Sequence, residues 1–306
     1  MSSARILAIG EALMDVVATP TSTEEYCGGS PMNVAVGLGR LGENVQLLTR
    51  IGRDARGERM TKHLQESNVT LAEGSVGDTV TSSSTATIDA DGVAKYDFQI
   101  EWSLDSVQSL PESTIVHTGS IGSFLEPGST QLRHLLSQVS PTTVITFDPN
   151  IRPSLQPSHE AGLAVVEKIA EMATVIKLSD EDAEWLYGET APDAVIDTLL
   201  SYGPGLAVLT RGPHGALLAT PTERLSIAGH VVAVSDTIGA GDSFMSGLIY
   251  TIASLLDENP GLAMADLTQE QLGRIGDFAV ACAAITVGRT GSNPPTLAEV
   301  EALLNS

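Results

Sequence analysis

Two aspartates, Asp236 and Asp242, bracket the glycine-rich turn Thr237-Ile238-Gly239-Ala240-Gly241, and the chain then enters an apolar run over 244–256. Backbone amides at the opening of a helix lack intrahelical partners and carry partial positive charge. They can hold an anion beside a carboxylate able to take a proton. Transfer of a phosphoryl group to a hydroxyl needs that pairing.

Other chemistries find no support in the residue patterns. No GxxxxGK[ST] occurs, so phosphate is not bound by a P-loop. Gly37-Leu38-Gly39-Arg40-Leu41-Gly42 satisfies GxGxxG, but it falls inside and at the end of a helical segment, where glycines serve close packing and a C-terminal cap. There is no GxSxG elbow and no HExxH among the six histidines. Cys27 and Cys282 lie far apart without CxxC spacing, which argues against a disulfide framework or a zinc site. The balance of 16 basic against 38 acidic residues, a formal charge of −22, disfavours nucleic acid and anionic membranes as partners. An anionic nucleotide still binds where local amides, a lysine and a metal ion offset the field. Apolar stretches are interrupted well before ~18 positions, and no signal peptide opens the chain. The expected setting is cytoplasmic.

The elements that position the turn follow from periodicity. Short β-branched runs at 5–10, 13–18, 45–51, 114–118, 143–147, 174–178 and 206–210 read as strands. Segments 33–41, 57–67, 131–138 and 161–172 read as helices. That alternation predicts a mainly parallel sheet covered by helices, with ligands beyond the carboxyl ends of the strands. Residues 79–89 and 94–100, joined by an Asp91-Gly92 turn, read as a polar hairpin. With 13–18 it is expected to form a small sheet projecting over the main domain.

The turn, together with Gly28-Gly29-Ser30-Pro31-Met32-Asn33-Val34-Ala35 and Gly10-Glu11-Ala12-Leu13-Met14-Asp15, resembles the ribokinase-like (PfkB) carbohydrate kinases across essentially the whole chain. Phe147-Asp148-Pro149-Asn150-Ile151-Arg152 looks most like the fructokinase branch, and 2-keto-3-deoxygluconate kinases carry a similar segment. The resemblance implies a three-layer αβα fold with a mainly parallel central sheet, one domain over 1–306, and a discontinuous β lid from about 12–32 and 79–101. It implies ATP-dependent phosphorylation of a sugar, fructose first, with 2-keto-3-deoxygluconate or ribose as alternatives. A non-catalytic sugar-binding regulator that keeps the fold is the alternative of a different class.

What it implies for single residues is specific. Asp242 would be the general base and Gly239, Ala240 and Gly241 the anion hole. Asp15, Gly28, Gly29, Asn33, Phe98, Asn150 and Arg152 would surround the sugar. Lys177, Thr210, Gly212, Gly215 and Asn293 would serve the nucleotide. Asp182 stands where relatives have the glutamate of N-x-x-E, which orders magnesium-bound water. Asp236, with Ile238, Arg289 and Gly291, would hold a monovalent cation, potassium in many relatives; some of these place a serine where this chain has Pro295. A homodimer through exposed lid edges is also implied.

Overall fold

The computed structural model describes residues 4–19, 21–88 and 94–306. The N-terminal third contains β1 (Arg5–Ile9), β2 (Leu13–Ala18), β3 (Thr23–Gly28), α1 (Ser30–Arg40), β4 (Asn44–Leu48), β5 (Ile51–Gly52), α2 (Ala55–Glu66), β6 (Val69–Leu71), β7 (Val76–Gly77), β8 (Ser83–Ile88) and β9 (Ala94–Gln99). There follow β10 (Ile115–Gly119), α3 (Ser120–Phe124), α4 (Gly128–Leu136), β11 (Val144–Asp148), α5 (His159–Ala170), β12 (Val175–Ser179), α6 (Asp180–Tyr187) and α7 (Pro192–Ser201). The chain closes with β13 (Leu206–Thr210), β14 (Ala216–Ala219), β15 (Arg224–Ile227), α8 (Ala240–Glu258), α9 (Gln269–Val287) and α10 (Leu297–Leu304).

Nine strands form one sheet in the order β15-β14-β13-β12-β11-β10-β1-β4-β6, parallel throughout except for the antiparallel edge β14-β15. A strand buried on both faces reads as an unbroken apolar run, and β1 shows why. Ile6 and Ala8 face a core with Met32 and Leu38 of α1, Phe244 and Ile252 of α8 and Ile275 of α9. Leu7 and Ile9 face the opposite core, with Leu132 of α4, Ile169 of α5 and Leu199 of α7. Each fully buried side chain of this size contributes on the order of 2 kcal/mol. The three-layer αβα arrangement follows.

The crossing of α1 and α8 matters most for the site. A Cβ on Gly37 would fall 2.3 Å from Ser246 Oγ, so only glycine admits this approach. Ser246 Oγ donates to Val34 O at 3.1 Å and to Asp242 O at 2.8 Å. The openings of the two helices are thereby brought together.

A separate four-stranded sheet has the order β3-β2-β8-β9, with β2 and β8 parallel and the outer pairs antiparallel. It corresponds to the small sheet expected from 12–32 and 79–101, with differences in detail. The second contribution starts at Ser83 rather than residue 79, and β3 was not anticipated, because Thr23-Glu24-Glu25-Tyr26 has no apolar alternation. The Asp91-Gly92 turn and residue 89 lie outside the described residues. Helix α1 begins three residues before the expected position 33, since Gly29 supplies the N-cap and Pro31 fits the first turn. The run 45–51 is two strands: after Leu48 the chain leaves the large sheet, and Ile51–Gly52 pairs with Val76–Gly77. Among the described residues no helix is long and apolar enough to cross a membrane.

Candidate active site

A cleft of about 590 Å³ opens at the carboxyl ends of the parallel strands, beneath the small sheet. Of the expected residues it gathers Asp15, Gly29, Asn33, Phe98, Asn150, Arg152, Lys177, Thr210, Gly212, Ile238, Gly239, Gly241 and Asp242. An adjoining and more apolar hollow of about 530 Å³ is walled by Gly215, Gly229, Val231, Val234, Ala240, Phe244 and Ala284, and the two share Glu181, Thr210, Gly212, Thr237 and Gly241. The combined shape is elongated, polar at one end and apolar at the other.

At the junction Gly239 adopts φ 76° as the N-cap of α8, a left-handed conformation that glycine takes without strain. Asp242 follows in the first helical turn. It is buried, its Oδ1 accepts from Ser30 Oγ at 2.6 Å, and its Oδ2 accepts from Asn33 Nδ2 at 2.8 Å. The carboxylate is thus oriented by α1 while it sits beside amides without helical partners.

The polar end contains Glu11, Asp15, Asn150, Arg152 and Ser120. Asp15 is exposed on the cleft wall, between the buried Met14 and Val16 of β2. Desolvation by the surrounding protein raises its pKa to about 6, and Arg152 opposes the shift. Glu11 is 3% exposed; burial pushes its carboxyl up to about 7 against hydrogen bonds from the Gly122 amide, at 2.8 Å, and from Ser120, and against the charge of Arg152. Arg152 Nη1 donates to Asn150 Oδ1 at 2.7 Å and to the carbonyls of Asn150 and Ile151 at 3.2 Å. Asn150 (φ 39°) and Ser120 (φ 52°) are two of three non-glycine residues with positive φ among the described residues. Backbone strain of this kind collects at ligand sites.

Behind the turn, Lys177 Nζ donates to Asp148 Oδ2 at 2.9 Å, and both residues are almost fully buried. Burial alone would lower the lysine pKa, but Asp148, Asp182 and Asp242 outweigh it and hold the pKa above its ordinary value. Lys177 is a fixed cation.

Several expected residues lie elsewhere, for identifiable reasons. Gly28 does not line the cleft; a Cβ there would fall 2.1 Å from Asp15 Oδ2, so this glycine clears space for a carboxylate rather than for a ligand. Asp182 is buried as the capping residue of α6: its Oδ2 accepts from Ser179 N and Oγ, and its Oδ1 from Ile151 N at 2.7 Å. Asp180 and Glu181, rather than Asp182, line the cleft. Asn293 Oδ1 accepts from Arg40 at 2.6 Å, and Arg289 pairs with Glu299. Neither lines the two hollows. Asp236 accepts from Ile238 N at 3.0 Å and Gly291 N at 2.9 Å, and these bonds lower its pKa. It thereby draws the loop before α8 against the loop after α9.

Glu11, Ser30, Ser84, Ser120 and Asp148 received no role from the sequence. For Glu11 a signal was available, a carboxylate ending an otherwise apolar strand. Ser30 and Ser120 carry none, because their positions depend on which elements meet.

Against known proteins, the model described as pfkB family carbohydrate kinase matches residues 3–299. The fructokinase of Rhizobium leguminosarum bv. trifolii is 31% identical over 288 residues, covering 90% of this chain and 85% of the relative. A fructokinase double mutant from Vibrio cholerae O395, solved with fructose, ADP and potassium bound, superposes with a TM-score of 0.84 at 25% identity over 99% of both chains. The Xylella fastidiosa fructokinase with bound ATP gives 0.84 at 26% identity over 98% of both.

Proposed function

The chain belongs to the pfkB family of carbohydrate kinases, and from that premise we propose that it transfers the γ-phosphate of ATP to the primary hydroxyl of D-fructose, giving fructose 6-phosphate and ADP. The observation that carries the reading is Asp242, a carboxylate oriented on both oxygens at the opening of α8 and sharing one cleft with Asp15. Asp242 takes the proton of the attacking hydroxyl. The hydroxyl oxygen bonds to the γ-phosphorus as the bond to the ADP oxygen breaks. The amides of Gly239 and Gly241 meet the charge on the transferring group without reorganising, whereas the Ala240 amide donates to Thr237 O at 3.3 Å.

The polar end selects the acceptor. Two carboxylates, Glu11 and Asp15, face one guanidinium, Arg152, whose Nη1 is held by Asn150 and Ile151. That end has no surplus positive charge to neutralise a sugar acid, which favours a neutral ketohexose over 2-keto-3-deoxygluconate. Asp15 accepts from sugar hydroxyls, Asn33 donates or accepts, and Phe98 covers an apolar sugar face. The apolar hollow takes the nucleotide base, with Gly212 and Gly215 admitting ribose and phosphates.

Magnesium fits as an ion carried by the phosphates and reached through water from Asp180 and Glu181, since Mg²⁺ needs only one or two carboxylates when phosphates supply the rest. When bound it neutralises phosphoryl charge. A monovalent cation such as potassium would sit beside Asp236, whose carboxylate joins the loop before α8 to the loop after α9. Dimerisation would use the small sheet, whose outer strands β3 and β9 carry the exposed Tyr26 and Phe98. An ATP supply and the lack of a spanning helix among the described residues fit a cytoplasmic setting.

A coupled ADP assay offering fructose, ribose, 2-keto-3-deoxygluconate and adenosine tests the proposal. Fructose should show the highest kcat/KM. Preference for the sugar acid would overturn the acceptor assignment, and thermal stabilisation by fructose without ADP release would overturn catalysis.

A further inference from the structure

Lys177 is one of four lysines in the chain, and it is 3% exposed. A Cβ placed on Gly241 would lie 3.3 Å from its Nζ, so the ammonium lies against the glycine turn, and Lys177 lines the cleft. Its partner Asp148 is fully buried, and Asp148 Oδ1 has no hydrogen-bond partner among the described residues. Strand pairing explains the contact: Phe147 lies opposite Ile176 in the parallel ladder, so the next residues, Asp148 and Lys177, come side by side at the carboxyl ends of β11 and β12, where Lys177 lines the cleft. A buried ion pair with one oxygen unsatisfied is a poor source of stability, because desolvation offsets most of the attraction. Its position points to another use.

Resting on the kinase reading above, we propose that Asp148 is a positioning residue for phosphoryl transfer: it holds the Lys177 ammonium, charged and immobile, against the anion hole, where it meets the γ-phosphoryl group. A lysine on a flexible four-carbon stem would otherwise sample many rotamers. Asp148 removes that freedom before ATP arrives. The charged and titratable groups facing Lys177 are Asp148 on β11, Asp182 on α6, Asp242 on α8 and His117 on β10. His117 is fully buried, with Nδ1 within 3.0 Å of Thr146 Oγ1; burial and the lysine charge push its pKa down to about 3, so it stays neutral. Asp148 itself is raised to about 6 by burial, against the pull of Lys177 and with repulsion from Asp182 and Asp242.

The test compares kcat and KM of the full-length enzyme from pH 6 to 10 for wild type, Asp148→Asn and Lys177→Met. Removing the Asp148 charge lowers the pKa of the buried ammonium, so kcat of Asp148→Asn should fall on the alkaline side at least one pH unit earlier than in wild type. At pH 7.5 its kcat should drop roughly ten- to a hundredfold, with KM for fructose within about twofold. Lys177→Met should lack this alkaline limb, and adding Asp148→Asn to it should change kcat by less than about twofold. A loss of equal size at every pH, or independent losses in the double variant, would mean a merely structural role and overturn the proposal. If Asp148→Asn alone does not fold, the double variant, which leaves no charge unpaired, keeps the comparison: it must show the Lys177→Met rate, and a wild-type rate refutes the assignment. Wild type that phosphorylates no sugar would instead refute the kinase reading.

Discussion

The two ends of the cleft are made of different material. The end proposed for the acceptor is built from side chains, Glu11, Asp15, Asn150 and Arg152, whose direction decides what they bind. The other end, proposed above for the nucleotide, consists of the glycine turn 239–241, an apolar hollow and the buried cation Lys177. Backbone amides do not titrate in the ordinary pH range, whereas carboxylates do. One end should tolerate changes of condition that the other registers.

The largest effect should come where the two ends meet. Asp242→Asn removes the proton acceptor and should lower kcat by about a thousandfold or more while ATP affinity stays near normal; substantial residual turnover in a coupled assay would remove the base from the mechanism. Next, Gly28→Ala places a methyl on Asp15 Oδ2. A carboxylate displaced by about 1 Å costs on the order of a hundredfold, so KM for fructose should rise ten- to a hundredfold with KM for ATP unchanged. Equal effects on both substrates would erase the distinction between the ends.

The pH dependence sharpens it further. Asp15 must be ionised to accept from two hydroxyls, and its pKa is raised to about 6. KM for fructose should climb as pH falls through about 6, while KM for ATP stays flat; a flat fructose profile would place the sugar elsewhere. The smallest effect concerns stability. Glu11 is raised from 4.5 to about 7, so the folded state holds its proton more tightly than the unfolded chain. Its contribution is complete below about pH 4.5 and is lost as pH rises through about 7. Glu11→Gln keeps an acceptor for Gly122 N and cannot ionise, so its Tm should exceed that of wild type by a few degrees at pH 8 and match it near pH 4.5. A lower Tm at pH 8 would show that the ionised form is the stabilising one.

Much of this was legible from local pattern. Runs such as Ile6-Leu7-Ala8-Ile9 announce a strand buried on both faces, and Gly239-Ala240-Gly241-Asp242 before an apolar run announces a glycine-capped helix with a carboxylate in its first turn. The antiparallel edge β14-β15 was not foreseen, since Ala216–Ala219 is only four residues long and the preceding Gly215 suggested a binding loop. Gly28 was assigned to the ligand because glycine pairs invite that reading, yet only the β2-β3 pairing shows it opposite Leu13 and against Asp15. Asp182 illustrates a second limit. Ser179-x-x-Asp182 is a capping box, and whether such a carboxylate faces a ligand or its own helix depends on the register of α6 against Ile151.

The hydrogen bonds from Ser30 and Asn33 to Asp242, with the tight crossing at Gly37 and Ser246, have a consequence for how such a protein can change over generations. They weld the proton acceptor to the body of the molecule through two long helices, whereas Asp15 and Phe98 ride on β2 and β9 of the separate sheet. Mutational drift in those outlying strands can therefore alter the part of the acceptor's surroundings that Asp15 and Phe98 supply, while Glu11, Asn150 and Arg152 and the reacting groups stay with the main body. A library confined to β2, β8 and β9 explores acceptors at little risk to turnover, and the same partition lets a lineage inherit its chemistry while trading its diet.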